Sequence, residues 1–304
     1  MANYKRLNEY FKNMFGERTL KICIDGGFTC PNRDGSKSTG GCIFCNEVGS
    51  ATNLKSDLDI TNQVKSFLEY KKERANKFIV YFQNFTNTYD SIDNLKRKYD
   101  ASLIDERIVG LDIDTRADCI NEEVCQLLAS YKDRYHVFVE LGLQTVNEKS
   151  HKFINQHITN EDFINALNLL NKYEIETIVH VMIGLPNESK NDLIDLVNFL
   201  NKVNYQGIKI HSTYIVKNTI LEELYNKGYY SPLSYDDYMD SLIYILTHIS
   251  KEVVIHRITG DPSKDELVEP KWMLHKKKVL NDIDKIMSSN SLYQGMYYNL
   301  DKNK

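Results

Sequence analysis

Three cysteines in one glycine-rich loop are the residues of this sequence best suited to chemistry. Cys30, Cys42 and Cys45 follow the spacing C-x11-C-x2-C, and Gly40 and Gly41 directly precede the second cysteine. Thiolates are strong ligands for zinc and for iron–sulfur clusters. Because glycine adopts backbone conformations that other residues avoid, such a loop can fold tightly around a metal. The spacing therefore predicts a metal site in this loop.

The number of cysteines narrows the kind of metal site. A structural zinc ion is enclosed by four ligands, and a conventional [4Fe–4S] cluster is bound by four cysteines. Three cysteines would leave one iron of a cluster open for a substrate or a cofactor. The alternative is zinc, with His151, His157 or Cys23 as its fourth ligand. The remaining cysteines, Cys119 and Cys125, are interpreted as structural.

Short apolar runs that alternate with helical patterns must position this loop. Runs rich in Val, Ile and aromatic residues predict six strands, at 19–25, 77–83, 107–113, 136–141, 177–183 and 207–215. Amphipathic patterns predict helices between and after them, at 60–74, 91–104, 121–131, 160–173, 188–203 and 219–227. This alternation indicates a parallel sheet with right-handed crossovers. The pattern alone leaves open whether the sheet is an open doubly wound sheet or an incomplete barrel.

Polar residues cluster just after the predicted strands. These clusters are the cysteine loop, residues 83–88, residues 114–118, Gln144 and residues 184–188. In a barrel, functional groups gather at the carboxyl ends of the strands. After residue 228 the rhythm changes to a helix at 235–250, a short strand at 253–257 and a basic helix at 272–287. We interpret this part as an extension packed on the same domain.

Composition limits the partners and the compartment. The net charge of −4 gives no overall sign of a nucleic-acid binder, although basic residues cluster near the N-terminus and between Lys271 and Lys278. These local clusters indicate either phosphate contacts or an ordinary solvated surface. The N-terminal residues lack the apolar core of a signal peptide, and no run reaches the roughly 18 apolar residues of a membrane helix. We therefore expect a cytoplasmic protein with no membrane partner and with reduced cysteines.

Several motifs along nearly the whole chain carry a family resemblance. The sequence resembles the bacterial radical S-adenosylmethionine proteins related to the catalytic subunit of Elongator, and in particular the branch implicated in wobble-uridine modification of tRNA. The motifs are FGE at 15–17, GFTCPNRDG at 27–35, GGCIFC at 40–45, YFQNFTNT at 81–88, DTRADC at 114–119, ELGLQT at 140–145, HVMIGLP at 180–186 and RITGD at 257–261. The cysteine loop with its PNRDG insert is the most specific of them.

The resemblance implies a fold that the strand pattern leaves open. It is the α/β radical S-adenosylmethionine fold, a (β/α)6 partial TIM barrel with short N-terminal and C-terminal extensions. The expected division is an N-terminal extension at 1–18, the partial barrel at 19–228 and a C-terminal extension at 229–304.

The resemblance also implies cofactors and cofactor-binding residues. The cofactors are one [4Fe–4S] cluster on the three cysteines and S-adenosylmethionine at its open iron, which is cleaved to a 5′-deoxyadenosyl radical. Gln83 falls where related enzymes hold the methionine part of the cofactor. Glu140 and Gln144 fall at the contacts to ribose or carboxylate, and Ile183 and Gly184 at the adenine. No residue is identified that receives the substrate radical.

The implied reaction converts a 5-carboxymethylaminomethyl wobble uridine of tRNA to its 5-aminomethyl form, with an electron donor such as flavodoxin or ferredoxin. Two alternatives remain: a radical enzyme that acts on a small molecule, and a non-catalytic, zinc-stabilised RNA-binding module. The sequence departs from the family pattern at Gln156, where an arginine is expected, and at Ala117, where a proline is expected. The chain has no room for an acetyltransferase domain, so chemistry with acetyl-CoA is not implied.

Overall fold

Seven parallel strands form the main sheet of this protein. The computed structural model describes residues 3–46, 54 and 56–298. In chain order the strands of these described residues are β1 (Thr19–Ile24), β2 (Lys77–Phe82), β3 (Ile108–Arg116), β4 (His136–Gln144), β5 (Glu176–Ile183), β6 (Gly207–Ser212), β7 (Ile215–Val216), β8 (Val254–Arg257) and β9 (Leu267–Glu269). The main sheet has the order β1-β2-β3-β4-β5-β6-β8 with every pair parallel. Strands β7 and β9 form a separate antiparallel pair.

Helices connect the strands and cover the outer face of the sheet. They are α1 (Leu7–Phe15), α2 (Ile60–Lys71), α3 (Ile92–Asp100), α4 (Glu122–Ala129), α5 (Glu148–Phe153), α6 (Asn160–Lys172), α7 (Lys190–Leu200), α8 (Ile220–Asn226), α9 (Tyr235–His248) and α10 (Lys276–Ser289). Local sequence sets several of their starts. Helix α6, for example, begins at a capping box in which Thr159 and Asp162 satisfy each other's backbone N–H groups.

The predicted elements are confirmed, with some differences at their ends. All six predicted strands are present, but the last of them stops at Ser212, and Ile215–Val216 pairs with β9 instead. The predicted basic helix begins as a 3-10 turn at Lys271–His275 and becomes α-helical only from Lys276. The short strand predicted after residue 228 joins the main sheet as its seventh strand, beside β6. The sheet therefore continues past the boundary expected at residue 228.

Contacts between distant strands show that the sheet is curled into a partial barrel. The Lys209 ammonium on β6 lies 3.2 Å from the Tyr81 hydroxyl on β2, although three strands separate them in the sheet order. In a flat sheet strands four places apart lie about 19 Å from each other, at roughly 4.8 Å per strand. Two side chains cannot close that gap unless the sheet curves around them. The partial-barrel prediction is thus confirmed.

The two faces of the sheet carry different side chains. Apolar residues such as Ile22, Val80 and Leu111 point outward into the main core, where they pack beneath the helices. The alternate positions of the same strands carry ionisable side chains, which meet inside the curled sheet, as Lys21 and Asp112 do. Because successive residues of a strand point to opposite faces, the alternation of apolar and polar residues separates core from interior.

Helix α1 closes the end of the barrel at which the strands begin. Phe11 of α1 is 2% exposed and packs in one cluster with Ile79, Phe138 and Ile178, each the third residue of its strand. The rings of Phe11 and Phe138 lie 5.8 Å apart between centroids. The sequence predicts only a short N-terminal extension at 1–18, and this apolar plug is not among its predicted helices. The interior of the barrel therefore opens at its other end, where the strands have their carboxyl ends.

We expect Phe11→Ala to lower the free energy of unfolding by about 3–5 kcal/mol, because it empties a packed aromatic site at the closed end of the barrel. Urea denaturation followed by circular dichroism measures this change. The matched control is Phe153→Ala, since Phe153 is already 42% exposed. Equal stability losses in the two variants would contradict the role of α1 as a packed plug.

Candidate active site

A cavity of about 880 Å³ opens at the carboxyl ends of the strands. The three cysteines of the loop, Cys30, Cys42 and Cys45, all line it. Residues at or near the ends of β2 to β6 line it too, among them Gln83, Asp114, Arg116, Gln144, Met182 and His211. The polar groups that the sequence places after separate strands therefore share one space with the cysteines.

Backbone hydrogen bonds fold the cysteine loop on itself. The carbonyl of Cys30 accepts from the N–H groups of Arg33 and Asp34 at 2.7 and 3.2 Å, and the N–H of Cys45 donates to the carbonyl of Cys42 at 2.9 Å. Gly41 has a φ of 76°, and a Cβ at this position would lie 3.0 Å from the Arg33 guanidinium. Only glycine fits both this conformation and this contact without strain.

The arrangement of the three thiols fits an iron–sulfur cluster better than a zinc ion. All three cysteines are free of disulfide bonds. They supply three ligands, whereas a structural zinc ion is enclosed by four. The side-chain amide of buried Asn32 lies 3.7 Å from the Cys42 sulfur and directs an N–H group at it. Hydrogen bonds to sulfur are one means by which proteins tune such clusters.

The two histidines considered as a fourth zinc ligand have other partners. Both ring nitrogens of His151 contact backbone carbonyl oxygens, those of Ile158 at 3.0 Å and Thr145 at 2.7 Å. The Nε2 atom of His157 lies 2.6 Å from the side-chain oxygen of Asn155. Neither histidine is therefore directed at the cysteines.

The segment that follows α5 supports the cysteine loop from the side. Asn155 donates from its side chain to the carbonyl of Gly41 at 2.7 Å, and its own carbonyl accepts from Asn32 at 2.6 Å. Gln156, which departs from the family pattern, lines the cavity. Its side-chain oxygen is buried and has no hydrogen-bond partner within the described part of the chain. The position of the expected arginine thus still faces the site.

Positive groups lie next to the cysteines. Burial and the nearby Cys45 raise the pKa of the Cys42 thiol to about 12, against the opposing charge of Arg116. Arg116 is held by two hydrogen bonds of 2.9 Å to the Asp118 carboxylate, which also pairs with Lys37 at 2.7 Å. Since metal ligands bind as thiolates, cluster assembly here must release protons from the cysteines.

A buried group of charges forms the floor of the cavity. Glu140 is fully buried, and one of its carboxylate oxygens accepts from Lys21 at 2.7 Å. The other oxygen accepts from His180 at 2.8 Å and from Lys209. Lys21 also pairs with buried Asp112. These contacts join side chains of β1, β3, β4, β5 and β6 inside the barrel.

Burial and charge act against each other in this floor. Burial alone would raise the pKa of Glu140, but Lys209 and Lys21 hold it well below its ordinary value. Burial and the nearby Glu140 raise the pKa of Asp112 to about 7, despite the two lysines. Burial lowers the pKa of His180 to about 4, although its hydrogen bond to Glu140 opposes the shift. The carboxylate of Glu140 is thus the anion that the buried cations share.

The same floor brings Asp114, Glu140 and His180 within the reach of one metal ion, with ligand atoms within 4.8 Å of one another. However, the ammonium of Lys209 already binds the Glu140 oxygen that faces His180. A protein cation therefore takes the place that a metal ion would need.

The structure brings together some of the predicted cofactor-binding residues. Gln83 and Gln144 line the cavity with the cysteines. Gln144 has a φ of 66°. Its side-chain nitrogen Nε2 lies 3.1 Å from the point that a Cβ on Gly142 would occupy. Gly142 therefore leaves room for Gln144 to fold back over the strand end. Both residues stay predictions as cofactor ligands.

The other three predicted cofactor-binding residues lie elsewhere. Glu140 is in the floor with both oxygens bound to protein groups. Ile183 is buried in the main core, and Gly184, with a φ of 80°, packs against Leu233, so neither is among the residues that line the cavity. Their roles also remain predictions.

Sequence reasoning missed the charged floor and one further charge. Lys21, Asp112 and Lys209 were not singled out, and Arg257 was noted only as part of a motif. The usable signal is an ionisable residue at every second position of an otherwise apolar strand, as in Lys209 and His211 on β6. Such residues must face an enclosed polar interior, since the other face of the strand is buried under helices.

The chain belongs to the radical S-adenosylmethionine superfamily. The model of the Radical SAM superfamily matches residues 32–200, and that of the Radical_SAM C-terminal domain matches residues 205–289. The chain is 36% identical over 303 residues to the protein YtqA of Bacillus subtilis (strain 168), which covers 97% of this chain and 92% of YtqA.

Further similarities point to the Elongator-like branch of this superfamily. The solved structure of Elp3 from the archaeon Methanocaldococcus infernus matches with a TM-score of 0.69 and 18% identity, over 92% of this chain and 67% of that one. A tRNA uridine(34) acetyltransferase of Dehalococcoides mccartyi (strain CBDB1) is 31% identical over 130 residues, 41% of this chain and 28% of that protein. The family resemblance read from the motifs is thereby confirmed.

Of the helices in the described ranges, none is both long and apolar enough to cross a membrane.

We expect Glu140→Gln to lower the free energy of unfolding by about 3–5 kcal/mol, because it leaves the buried ammonium of Lys209 without a carboxylate. Urea unfolding under anaerobic conditions measures the loss. Adding Lys209→Met should recover part of it, since the second change removes the stranded charge. The control is Glu69→Gln, because the ion pair between Glu69 and Lys72 is exposed on both sides. If Glu140→Gln costs no more than the control, the floor does not depend on this carboxylate.

Proposed function

We propose that this protein binds one [4Fe–4S] cluster through Cys30, Cys42 and Cys45, binds S-adenosylmethionine at the open iron, and modifies tRNA. The observation that carries the proposal is the set of three cysteines that line one cavity of a radical S-adenosylmethionine fold and would leave one iron of a cluster open. When both cofactors are bound, they supply a 5′-deoxyadenosyl radical that removes a hydrogen atom from the substrate. The protein holds the reactants in place and excludes water.

The residues of the cavity divide this work among them. Gln83, just after β2, and Gln144, at the end of β4, offer amide groups to the methionine and ribose parts of the cofactor. The backbone around Ile183 and Gly184 is proposed to receive the adenine. Glu140 acts indirectly, because its carboxylate binds Lys21 and Lys209 in the floor of the cavity. An electron donor such as flavodoxin or ferredoxin would reduce the cluster.

The proposed substrate is the wobble uridine of tRNA, converted from its 5-carboxymethylaminomethyl form to the 5-aminomethyl form. Similarity to a protein named as a tRNA uridine(34) acetyltransferase supports this choice. The mouth of the cavity offers a second support. Tyr70 lines it and is 77% exposed, and the Lys71 ammonium lies 4.1 Å from the centre of its ring. An exposed aromatic ring beside a cation is suited to stacking an unpaired base and attracting its phosphate.

The basic helix α10 supports RNA binding less than its sequence indicates. The ammonium of Lys276 lies 2.7 Å from a carboxylate oxygen of Asp261, and that of Lys278 lies 2.5 Å from Asp282. These pairs neutralise part of the positive surface. A small-molecule substrate therefore remains the second candidate, since the cavity has the volume of a typical ligand site.

We expect wild-type protein reconstituted anaerobically with iron and sulfide to hold about four iron atoms per chain. Cys42→Ala should lose most of this iron and the visible absorption of the cluster, because it removes one of only three ligands. Cys125→Ala is the matched control, since Cys125 is buried within α4 and does not line the cavity. Zinc bound in place of iron by the wild type would favour the zinc-stabilised RNA-binding module.

In cells that lack this gene, we expect mass spectrometry of tRNA nucleosides to show accumulation of 5-carboxymethylaminomethyl uridine and loss of its 5-aminomethyl derivatives. The wild-type gene should restore the normal pattern, and the gene with Cys42→Ala should not, because the reaction needs the cluster. An unchanged nucleoside pattern in the deletion strain would reject the tRNA assignment and leave the small-molecule substrate.

A further inference from the structure

Arg257 stands out among the charged residues of the cavity because no residue in the described ranges pairs with it. It is the last residue of β8, the edge strand opposite to the one that leads into the cysteine loop. Within the described residues its guanidinium makes no hydrogen bond and no ion pair, yet it lines the cavity. The other two arginines of the cavity are bound: Arg33 to the carbonyl of Cys45 at 3.2 Å and Arg116 to Asp118.

The neighbours of Arg257 strengthen the need for an anion. Lys209 is its partner across the β6–β8 pairing, and His211 lies two residues further along β6. The Nε2 atom of His211 is buried and has no hydrogen-bond partner in the described ranges. Burial lowers the pKa of Lys209, and Arg257 is one of the charges that add to this shift, whereas Glu140 opposes it. Lys209 itself already binds Glu140. The guanidinium and the imidazole are therefore left to a ligand.

A carboxylate, that of Glu266, lines the same cavity as Arg257. Glu266, just before β9, lines the cavity, and one of its carboxylate oxygens is buried with no hydrogen-bond partner in the described chain. Both Arg257 and Glu266 act on the hydroxyl of Tyr214: burial raises the pKa of Tyr214, Arg257 lowers it and Glu266 raises it. No ion pair joins Arg257 to Glu266 in the described part of the chain, although both residues line the cavity. A ligand that carries both a carboxylate and an ammonium group would match them.

We propose that Arg257 binds the carboxylate of the substrate side chain, with His211 as a second donor and Glu266 facing the amine. This inference depends on the proposed substrate, whose carboxymethylaminomethyl group carries a carboxylate beside a secondary amine. A planar guanidinium binds a carboxylate through two parallel hydrogen bonds, so it fixes the orientation of the group as well as its position. A backbone phosphate would satisfy Arg257 but not Glu266. The methionine part of S-adenosylmethionine also carries a carboxylate and an amino group. The experiment therefore distinguishes binding of the substrate from binding of the cofactor.

The test compares two anticodon stem-loops that differ only at the wobble uridine. One carries the 5-carboxymethylaminomethyl group, and the other carries the matching carboxamide, which keeps the amine and the size but removes the negative charge. Dissociation constants are measured anaerobically on the cluster-loaded protein with S-adenosylmethionine and without reductant, so that no reaction occurs. We expect the wild type to bind the carboxylate form about 10- to 100-fold more tightly, as hydrogen bonds to a charged group allow.

Arg257→Gln should abolish this preference, while its affinity for the carboxamide stem-loop and for S-adenosylmethionine stays within about twofold of wild type. Arg257→Lys should keep part of the preference, because it keeps the charge and loses the two-point geometry. Arg107→Gln is the matched control, since Arg107 pairs with Asp105 at the opposite end of the barrel. Unchanged melting temperatures show that the variants fold.

Three outcomes would overturn the assignment of Arg257. The first is a wild type that does not discriminate between the stem-loops, and the second is an Arg257→Gln variant that keeps the full preference. The third is a variant that loses affinity for S-adenosylmethionine instead, which would show that Arg257 binds the cofactor and not the substrate. In these cases the proposed tRNA substrate stands if the stem-loops bind. A wild type that binds neither stem-loop would reject the proposed substrate and this inference together.

Discussion

The carboxylate of Glu140 is the centre on which the interior of this protein depends. Its two oxygens receive the lysines of β1 and β6 and the histidine of β5, so one side chain connects strands that lie on different sides of the barrel. Removing charges from water is costly, and the cost is offset only when every charge has a close partner. An inward curve of the sheet is what brings these partners together. The ionic floor and the curvature therefore require each other.

This floor also divides the interior into three levels. Below it, the apolar plug of α1 seals the end where the strands begin. Above it, the cavity holds the cysteines, the amides of the strand ends and Arg257, which pairs with no other residue in the described part of the chain. Charges that are already paired cannot bind a ligand, whereas unpaired charges can. The structure thus separates groups that shape the barrel from groups that are free for recognition, even though both kinds lie on the same strands.

Much of this arrangement could be predicted from sequence, and particular elements show why the rest could not. The three thiols and the six strands are local features, carried by spacing and by apolar runs, and both were predicted. The pairing of β8 with β6 joins residues 207 and 254. A local sequence pattern does not indicate which strand will pair with the edge strand of a sheet. Helix α1 carries Leu7, Phe11, Met14 and Phe15 at helical spacing, which predicts a buried face, but a local stripe does not tell which surface that face covers. The partners of Glu140 depend on strand register and curvature, which only the three-dimensional structure defines.

The plug formed by α1 has a consequence for the order of events in a catalytic cycle. With one end of the barrel sealed, molecules enter and leave by the mouth that faces the substrate. A cofactor seated at the cysteines would have to arrive before a bulky nucleic acid covers that mouth. The spent fragments of the cofactor would remain inside until the nucleic acid leaves. The closed end of the barrel would thus impose an order in which the cofactor enters first and its fragments leave last.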